Sequence, residues 1–179
     1  MSVQLYYCGC SGGTGGNRTH YKDPHYEAVI STEDCRISEI IVHWGNVIDS
    51  IAVSYVDSND NPLGTFKIGG DGGYMSVEQL KKDAYIKGIY GAHQDVVDWL
   101  QINYRDNSGI SFGLGSLKNE FEYFAPAGFL IIGFWGFEGD YIDSLGVIMR
   151  RVPDEQLTKK IVPARLLNQF TGDQGPPVG

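Results

Sequence analysis

Residues 131–145 read Ile131-Ile132-Gly133-Phe134-Trp135-Gly136-Phe137-Glu138-Gly139-Asp140-Tyr141-Ile142-Asp143-Ser144-Leu145: an apolar and aromatic run, a turn carrying glycine, then a second apolar run entered through an Asp. The same order recurs upstream in Ile86-Lys87-Gly88-Ile89-Tyr90-Gly91-Ala92-His93-Gln94-Asp95-Val96-Val97-Asp98-Trp99-Leu100, where the two early glycines keep their places and the Asp again lies ten residues beyond the first of them. A third copy, Ile41-Val42-His43-Trp44-Gly45-Asn46-Val47-Ile48-Asp49-Ser50-Ile51, is one residue shorter and lacks the early glycines, but keeps the aromatic and the apolar-apolar-Asp ending. Self-similarity of this kind marks a body assembled from repeated supersecondary units. Each copy is read as strand, tight loop, strand, with the Asp at the foot of the second strand, facing a loop cleft while neighbours such as Ile142 and Leu145 enter the core. Three such units predict an all-β body with pseudo-threefold symmetry. In the plainer alternative the hairpins merely reuse turn chemistry, and no Asp is tied to a glycine cluster elsewhere.

Working outward, glycine is abundant, 24 residues, and gathers in Gly12-Gly13-Thr14-Gly15-Gly16, Gly69-Gly70-Asp71-Gly72-Gly73 and the looser Gly113-Leu114-Gly115. Such clusters punctuate short strands, and between them lie β-branched and aromatic runs at Ile37 to Val42, Ile48 to Val56, Tyr85 to Tyr90, Val96 to Tyr104, Phe129 to Trp135 and Tyr141 to Met149. Asp57-Ser58-Asn59-Asp60-Asn61-Pro62 opens like a calcium loop, yet Pro62 stands where Gly is required and Ile68 where Glu should sit, so it is read as a turn between strands. From Val152 the composition changes to a mixed-charge segment broken by Pro153, Pro163, Pro176 and Pro177. One domain over residues 1–151 with a C-terminal extension over 152–179 is expected, the stretch from Leu157 to Phe170 forming one short helix.

Composition narrows the function. The 179 residues suffice for one ordinary core, and a net charge of −8 with dispersed basic residues argues against a nucleic-acid partner, which needs a clustered positive face. No run approaches the roughly 20 apolar residues that cross a bilayer, and Met1 to Cys10 lacks the charged-then-apolar order of an export signal; the expectation is a soluble protein, cytoplasmic or secreted by a non-classical route. Cys8, Cys10 and Cys35 are an odd count, which excludes a full disulfide framework and leaves at least one thiol free or shared between chains, and Cys8-Gly9-Cys10 with His20 and His25 fits no common zinc spacing, so neither metal nor cofactor is expected. The sequon Asn17-Arg18-Thr19 is expected to go unused.

A hexose edge presents vicinal hydroxyls that both donate and accept. Its receptor needs a carboxylate to accept two O–H bonds and backbone N–H groups to donate in return. Asp143 with the amides of Asp140 and Tyr141 has that chemistry, the Tyr141 ring can wall the sugar's C–H face, and Gly15-Gly16 is bare enough to let a ligand reach its backbone. The run Gly139-Asp140-Tyr141-Ile142-Asp143, between Gly133-Phe134-Trp135-Gly136 and Ser144-Leu145-Gly146-Val147, resembles the Gly-xxx-Asp sugar motif of the jacalin-related lectins. Gly12-Gly13-Thr14-Gly15-Gly16 is similar to that family's glycine loop, and Ile48-Asp49-Ser50-Ile51 followed by Tyr55 to its first internal strand pair. The resemblance spans roughly Ser11 to Arg150.

The resemblance implies a β-prism of three four-stranded Greek-key sheets and a multivalent, non-catalytic lectin for mannose- or glucose-type glycans. It implies a main site from Gly16, Gly139, Asp140, Tyr141 and Asp143; a second from Gly45, Asn46, Val47 and Asp49 with Gly72-Gly73; and a third from Asp95, Val96 and Asp98 beside Gly113-Leu114-Gly115-Ser116. The third departs from the pattern, with Gln94 in place of the leading glycine and no double glycine. The chain runs unbroken before Gly16, unlike the galactose-preferring branch, and Arg18, His20 and Lys22 replace the usual aromatic-acidic stretch. A homodimer is expected. Two rivals are a glycoside hydrolase using Asp140 and Asp143, whose carboxyls must stand about 5–10 Å apart across a scissile bond, and a membrane-active or protein-binding β module.

Overall fold

The computed structural model describes residues 2–153 and the strand at residues 165–171. In chain order these form β1 (Tyr6–Gly12), β2 (Asn17–Thr19), α1 (Pro24–Ile30), β3 (Arg36–Trp44), β4 (Ile48–Val56), β5 (Pro62–Gly69), β6 (Tyr74–Leu80), β7 (Ile86–His93), β8 (Val97–Tyr104), β9 (Gly109–Phe112), β10 (Glu120–Phe124), β11 (Phe129–Glu138), β12 (Ile142–Arg151) and β13 (Arg165–Thr171). The three sequence copies are the hairpins β3-β4, β7-β8 and β11-β12. Each hairpin is flanked in the same antiparallel order, as β6-β3-β4-β5, β10-β7-β8-β9 and β2-β11-β12-β1. Hydrogen bonding gathers these blocks into two sheets rather than three. The last two blocks are joined by the single bridge Ile131↔Ile86 into an eight-stranded sheet, while the first block and β13 make a five-stranded one.

One core lies between the blocks. It takes Ile40, Val42, Ile51 and Val53 from the first, Ile89, Leu100, Ile102 and Phe112 from the second, and Phe134, Leu145 and Val147 from the third, all buried. Each such side chain contributes about 1.5–3 kcal/mol when removed from water. The early glycines of the repeat serve this packing. A methyl group at Gly133 would strike the Tyr26 hydroxyl, and methyls at Gly88 and Gly91 would meet the rings of Phe124 and Phe121. Tyr26 Oη donates to Tyr55 Oη at 2.7 Å, Tyr55 Oη donates to the Ile132 carbonyl at 2.8 Å, and the Phe134 amide donates back to Tyr26 at 3.3 Å.

Tyr26 is carried by α1, a segment to which the sequence reading assigned no element. Its start follows from Asp23-Pro24: Asp23 Oδ1 accepts from the amides of His25 and Tyr26 at 2.8 and 3.0 Å, and Pro24 has no N–H to leave unsatisfied. Where α1 ends, Arg150, 1% exposed, donates to the carbonyls of Ile30, Thr32 and Glu33 at 2.9, 2.7 and 2.7 Å. The short helix expected over Leu157 to Phe170 is corrected: Arg165–Thr171 is a strand running antiparallel to β6, because that sheet edge offers unpaired backbone, and residues 154–164 lie outside the described residues. Asp57 does form a turn, its Oδ1 accepting from the amides of Asn59 and Asn61 at 2.9 Å each. Cys8, Cys10 and Cys35 are free thiols, and burial pushes Cys35 up to about 12.

Candidate functional site

Each hairpin breaks register at its Asp. In β11-β12, Phe137 pairs with Ser144 and Glu138 with Ile142, leaving Asp143 as the extra residue of a bulge. In β3-β4, His43 pairs with Ser50 and Trp44 with Ile48, leaving Asp49; in β7-β8, Ala92 pairs with Trp99 and His93 with Val97, leaving Asp98. A bulge places two residues opposite one and re-aims the extra side chain. That is why Ile142 and Leu145, three apart, both reach the core, as do Ile48 with Ile51 and Val97 with Leu100. The turns match as well: the amide of Gly139 donates to the Tyr141 carbonyl at 3.0 Å, that of Gly45 to Val47 at 2.9 Å, and that of Gln94 to Val96 at 3.0 Å.

A glycine strip from elsewhere in the chain closes over two of these carboxylates. Gly16, at φ +82°, stands where a methyl group would lie 2.6 Å from Asp143 Oδ1 and 2.8 Å from the Glu138 amide, and one at Gly15 would lie 2.8 Å from Asp143 Oδ2. The second copy reproduces this arrangement. Gly73, at φ +85°, would set a methyl 2.5 Å from Asp49 Oδ2 and 2.9 Å from the Trp44 amide, and Gly72 one 3.0 Å from Asp49 Oδ1. Only residues without a Cβ permit this approach, and the left-handed backbone at Gly16 and Gly73 favours glycine independently. Each strip is tied on, by the Gly13 amide to the Asp143 carbonyl and by the Gly70 amide to the Asp49 carbonyl, both at 2.9 Å.

Burial raises both carboxyls above the usual carboxylate range; at Asp49 the neighbouring His43 partly offsets this. His43 is itself lowered, by burial first and by Lys67 second, and its ring bonds to Ser50 Oγ at 3.0 Å. Beside the first carboxylate Tyr141 is 44% exposed, while the second copy has Val47 at that place and an exposed aromatic on its other side, Tyr74, edge-on to Trp44 at 5.7 Å. Tyr74 and His43 lie beside the second carboxylate and were not singled out in the sequence; the signal was their position, one directly after Gly73 and the other beside the Trp44-Gly45 turn.

The third copy differs. Gln94 Nε2 donates to Asp98 Oδ2 at 3.3 Å, and a methyl at Gly115 would meet Asp98 Cβ at 2.7 Å and its backbone carbonyl at 3.0 Å rather than its carboxylate oxygens. Gly113 holds the place of Gly12 and Gly69 against the Asp backbone, but Ser116 and Leu117 follow where the other strips have paired glycines. Asp95 and Val96 lie in the turn as expected, and Asp98 is buried at 5% exposure.

All three mouths lie together. Gly13 backs onto the Asp95 carbonyl, Gly70 onto the Asp140 carbonyl and Gly115 onto that of Asn46, so each glycine strip leans on the turn of another copy in a closed ring. A small cleft among Cys35, Ile37, Ala84, Ile131 and Arg150, and an open hollow beside Tyr90, Gln101 and Glu122, include none of these loop residues. Among the described residues no group of three His, Cys, Asp or Glu side chains is placed to hold a metal, and no helix is long and apolar enough to cross a membrane.

The profile of the jacalin-like lectin domain matches residues 8–148, the span that carries all three hairpin turns and all three glycine strips. The chain belongs to the jacalin-like lectin family. Among jacalin-like relatives, the mannose/glucose-specific lectin of Parkia platycephala is 29% identical over 156 residues, covering 79% of this chain and 31% of that protein. Jacalin-related lectin 3 of Arabidopsis thaliana is 31% identical over 127 residues, covering 66% of this chain and 21% of that one. The alignments thus span about a third or less of those relatives. A solved mannose-binding jacalin-related lectin from Ananas comosus superposes with a TM-score of 0.65 at 21% identity, covering 83% of this chain and 99% of that one, a likeness of fold.

Proposed function

We propose that this chain binds mannose- or glucose-type glycans, without catalysis, through two mouths: one of Gly16, Gly139, Asp140, Tyr141 and Asp143, the other of Gly45, Asn46, Val47, Asp49 and Gly73. The observation that carries the reading is the carboxylate bracketed by two bare glycines, repeated at Asp143 and Asp49. Each carboxylate accepts from its own backbone N–H and leaves acceptor capacity for two vicinal hydroxyls. The turn amides at 140–141 and 46–47 donate in return, and the ring of Tyr141, or of Tyr74 at the second mouth, walls the apolar face of the sugar. A relative named as a mannose/glucose-specific lectin supports the sugar class. Asp140 and Asp143 belong to one tight turn, suited to one edge of one hexose rather than to the two sides of a scissile bond.

The three blocks form the faces of a β-prism whose mouths share one end. With a few hydrogen bonds worth about 0.5–1.5 kcal/mol each, one monosaccharide binds in the millimolar range. Useful strength comes from several sites per chain and from the expected homodimer, by effective concentration.

The test is a glycan array with free mannose as competitor, run beside calorimetric titration of methyl α-mannoside. Asp143→Ala is expected to remove binding at the first mouth and leave the near-ultraviolet dichroism unchanged. Equal binding by that variant would overturn the assignment.

A further inference from the structure

We propose that Gln94 is an internal ligand: its carboxamide takes, at the third carboxylate, the place that a sugar hydroxyl takes at the other two, so the chain carries two open glycan mouths and a third that it closes itself. This rests on the reading of the two glycine-walled mouths as sugar sites, and narrows the three equivalent sites expected from the repeat.

The three turns are equivalent by their own hydrogen bonds, which place Gln94 on the position of Gly139 and Gly45. At those two positions there is no side chain, and a methyl group built on Gly45 would have no heavy atom within 4 Å, so the space before Asp49 is open. In the third copy the same space receives an amide N–H, donated to Asp98 Oδ2 at 3.3 Å. A carboxylate oxygen engaged by a tethered donor is denied to a ligand of millimolar strength, since the tether holds the competitor at an effective concentration of similar size or larger. The covering strip is altered to match. It rests on the stem of Asp98 through Gly115, and the residues that follow carry side chains, Leu117 being exposed. Gln94 has no left-handed backbone to preserve, so Gln94→Ala removes the amide without straining the turn.

The experiment counts mannoside sites by amide chemical-shift titration with methyl α-mannoside, in which each mouth reports through its own loop residues. Wild type is expected to show two sites, with shifts at 139–143 and 45–49 and none at 94–98; Asp98→Ala is expected to leave both unchanged. Gln94→Ala is expected to add a third site, weaker than the other two because Ser116 and Leu117 stand where they have paired glycines, and Gln94→Ala with Asp98→Ala to lose it. A folded Gln94→Ala that still shows two sites overturns the proposal, as does a wild type that binds at 94–98. A wild type that binds nowhere overturns the glycan reading itself, and is a distinct result.

Discussion

Arg150 and Asp49 are both buried charges, 1% and 5% exposed, and they are treated in opposite ways. Arg150, under the end of α1, donates to three backbone carbonyls. Asp49, under its glycine strip, accepts from its own amide, and no other hydrogen bond to its carboxylate is found among the described residues. A buried charge is tolerable only when bonded. The arginine's three carbonyl bonds, made by its terminal nitrogens while Nε stays unbonded, make it part of the scaffold; the aspartate has no such set of protein donors, and burial raises its carboxyl.

The largest effect expected from breaking this contrast is at the scaffold. Arg150→Met leaves the carbonyls of Ile30, Thr32 and Glu33 without donors, a loss of about 3 kcal/mol that lowers Tm by about 10 °C in a thermal melt, with the number of mannoside sites in the folded protein unchanged. Next comes Gly16→Ala, whose methyl lands on Asp143 Oδ1 and whose left-handed backbone costs about 1–2 kcal/mol. Calorimetry should count one mannoside site instead of two, with only a small drop in Tm. The smallest effect sharpens the contrast without mutation. The mouths need ionised carboxylates as acceptors, and burial raises Asp143 and Asp49, so protonation sets in at a higher pH than for an ordinary carboxylate. Mannoside affinity measured by calorimetry should therefore be constant near neutrality and fall as pH descends, beginning above the usual carboxylate range. A curve breaking at or below that range would show that the carboxyls are better solvated than their burial implies.

The hairpins and the Asp positions were legible because a bulge leaves a mark on the residues: apolar, Asp, any residue, apolar, as in Ile142-Asp143-Ser144-Leu145. Strict alternation cannot bury both apolar ends of that word, and only an extra residue between them can. The pairing of Asp143 with Gly16 was legible through the family resemblance rather than through spacing, since 127 residues separate them. The start of α1 was written in Asp23-Pro24 and went unread because seven residues show little period. β13 was not legible at all: its strand conformation is conferred by the edge of β6, a partner that composition does not reveal. Gln94 was seen as a departure from glycine, but where its side chain goes depends on Asp98 being re-aimed toward it, which is a property of the folded hairpin.

The ring in which Gly13, Gly70 and Gly115 each rest on a neighbouring turn has an evolutionary corollary. No mouth can be remodelled alone: bulk added at Gly70 displaces the Asp140 turn, and bulk at Gly13 the Asp95 turn, so a change of preference at one corner perturbs the next. The Gln94 corner obeys the same rule: Gly13, in the strip of the first mouth, rests on the Asp95 turn, so a new loop there is felt at Asp143 as well.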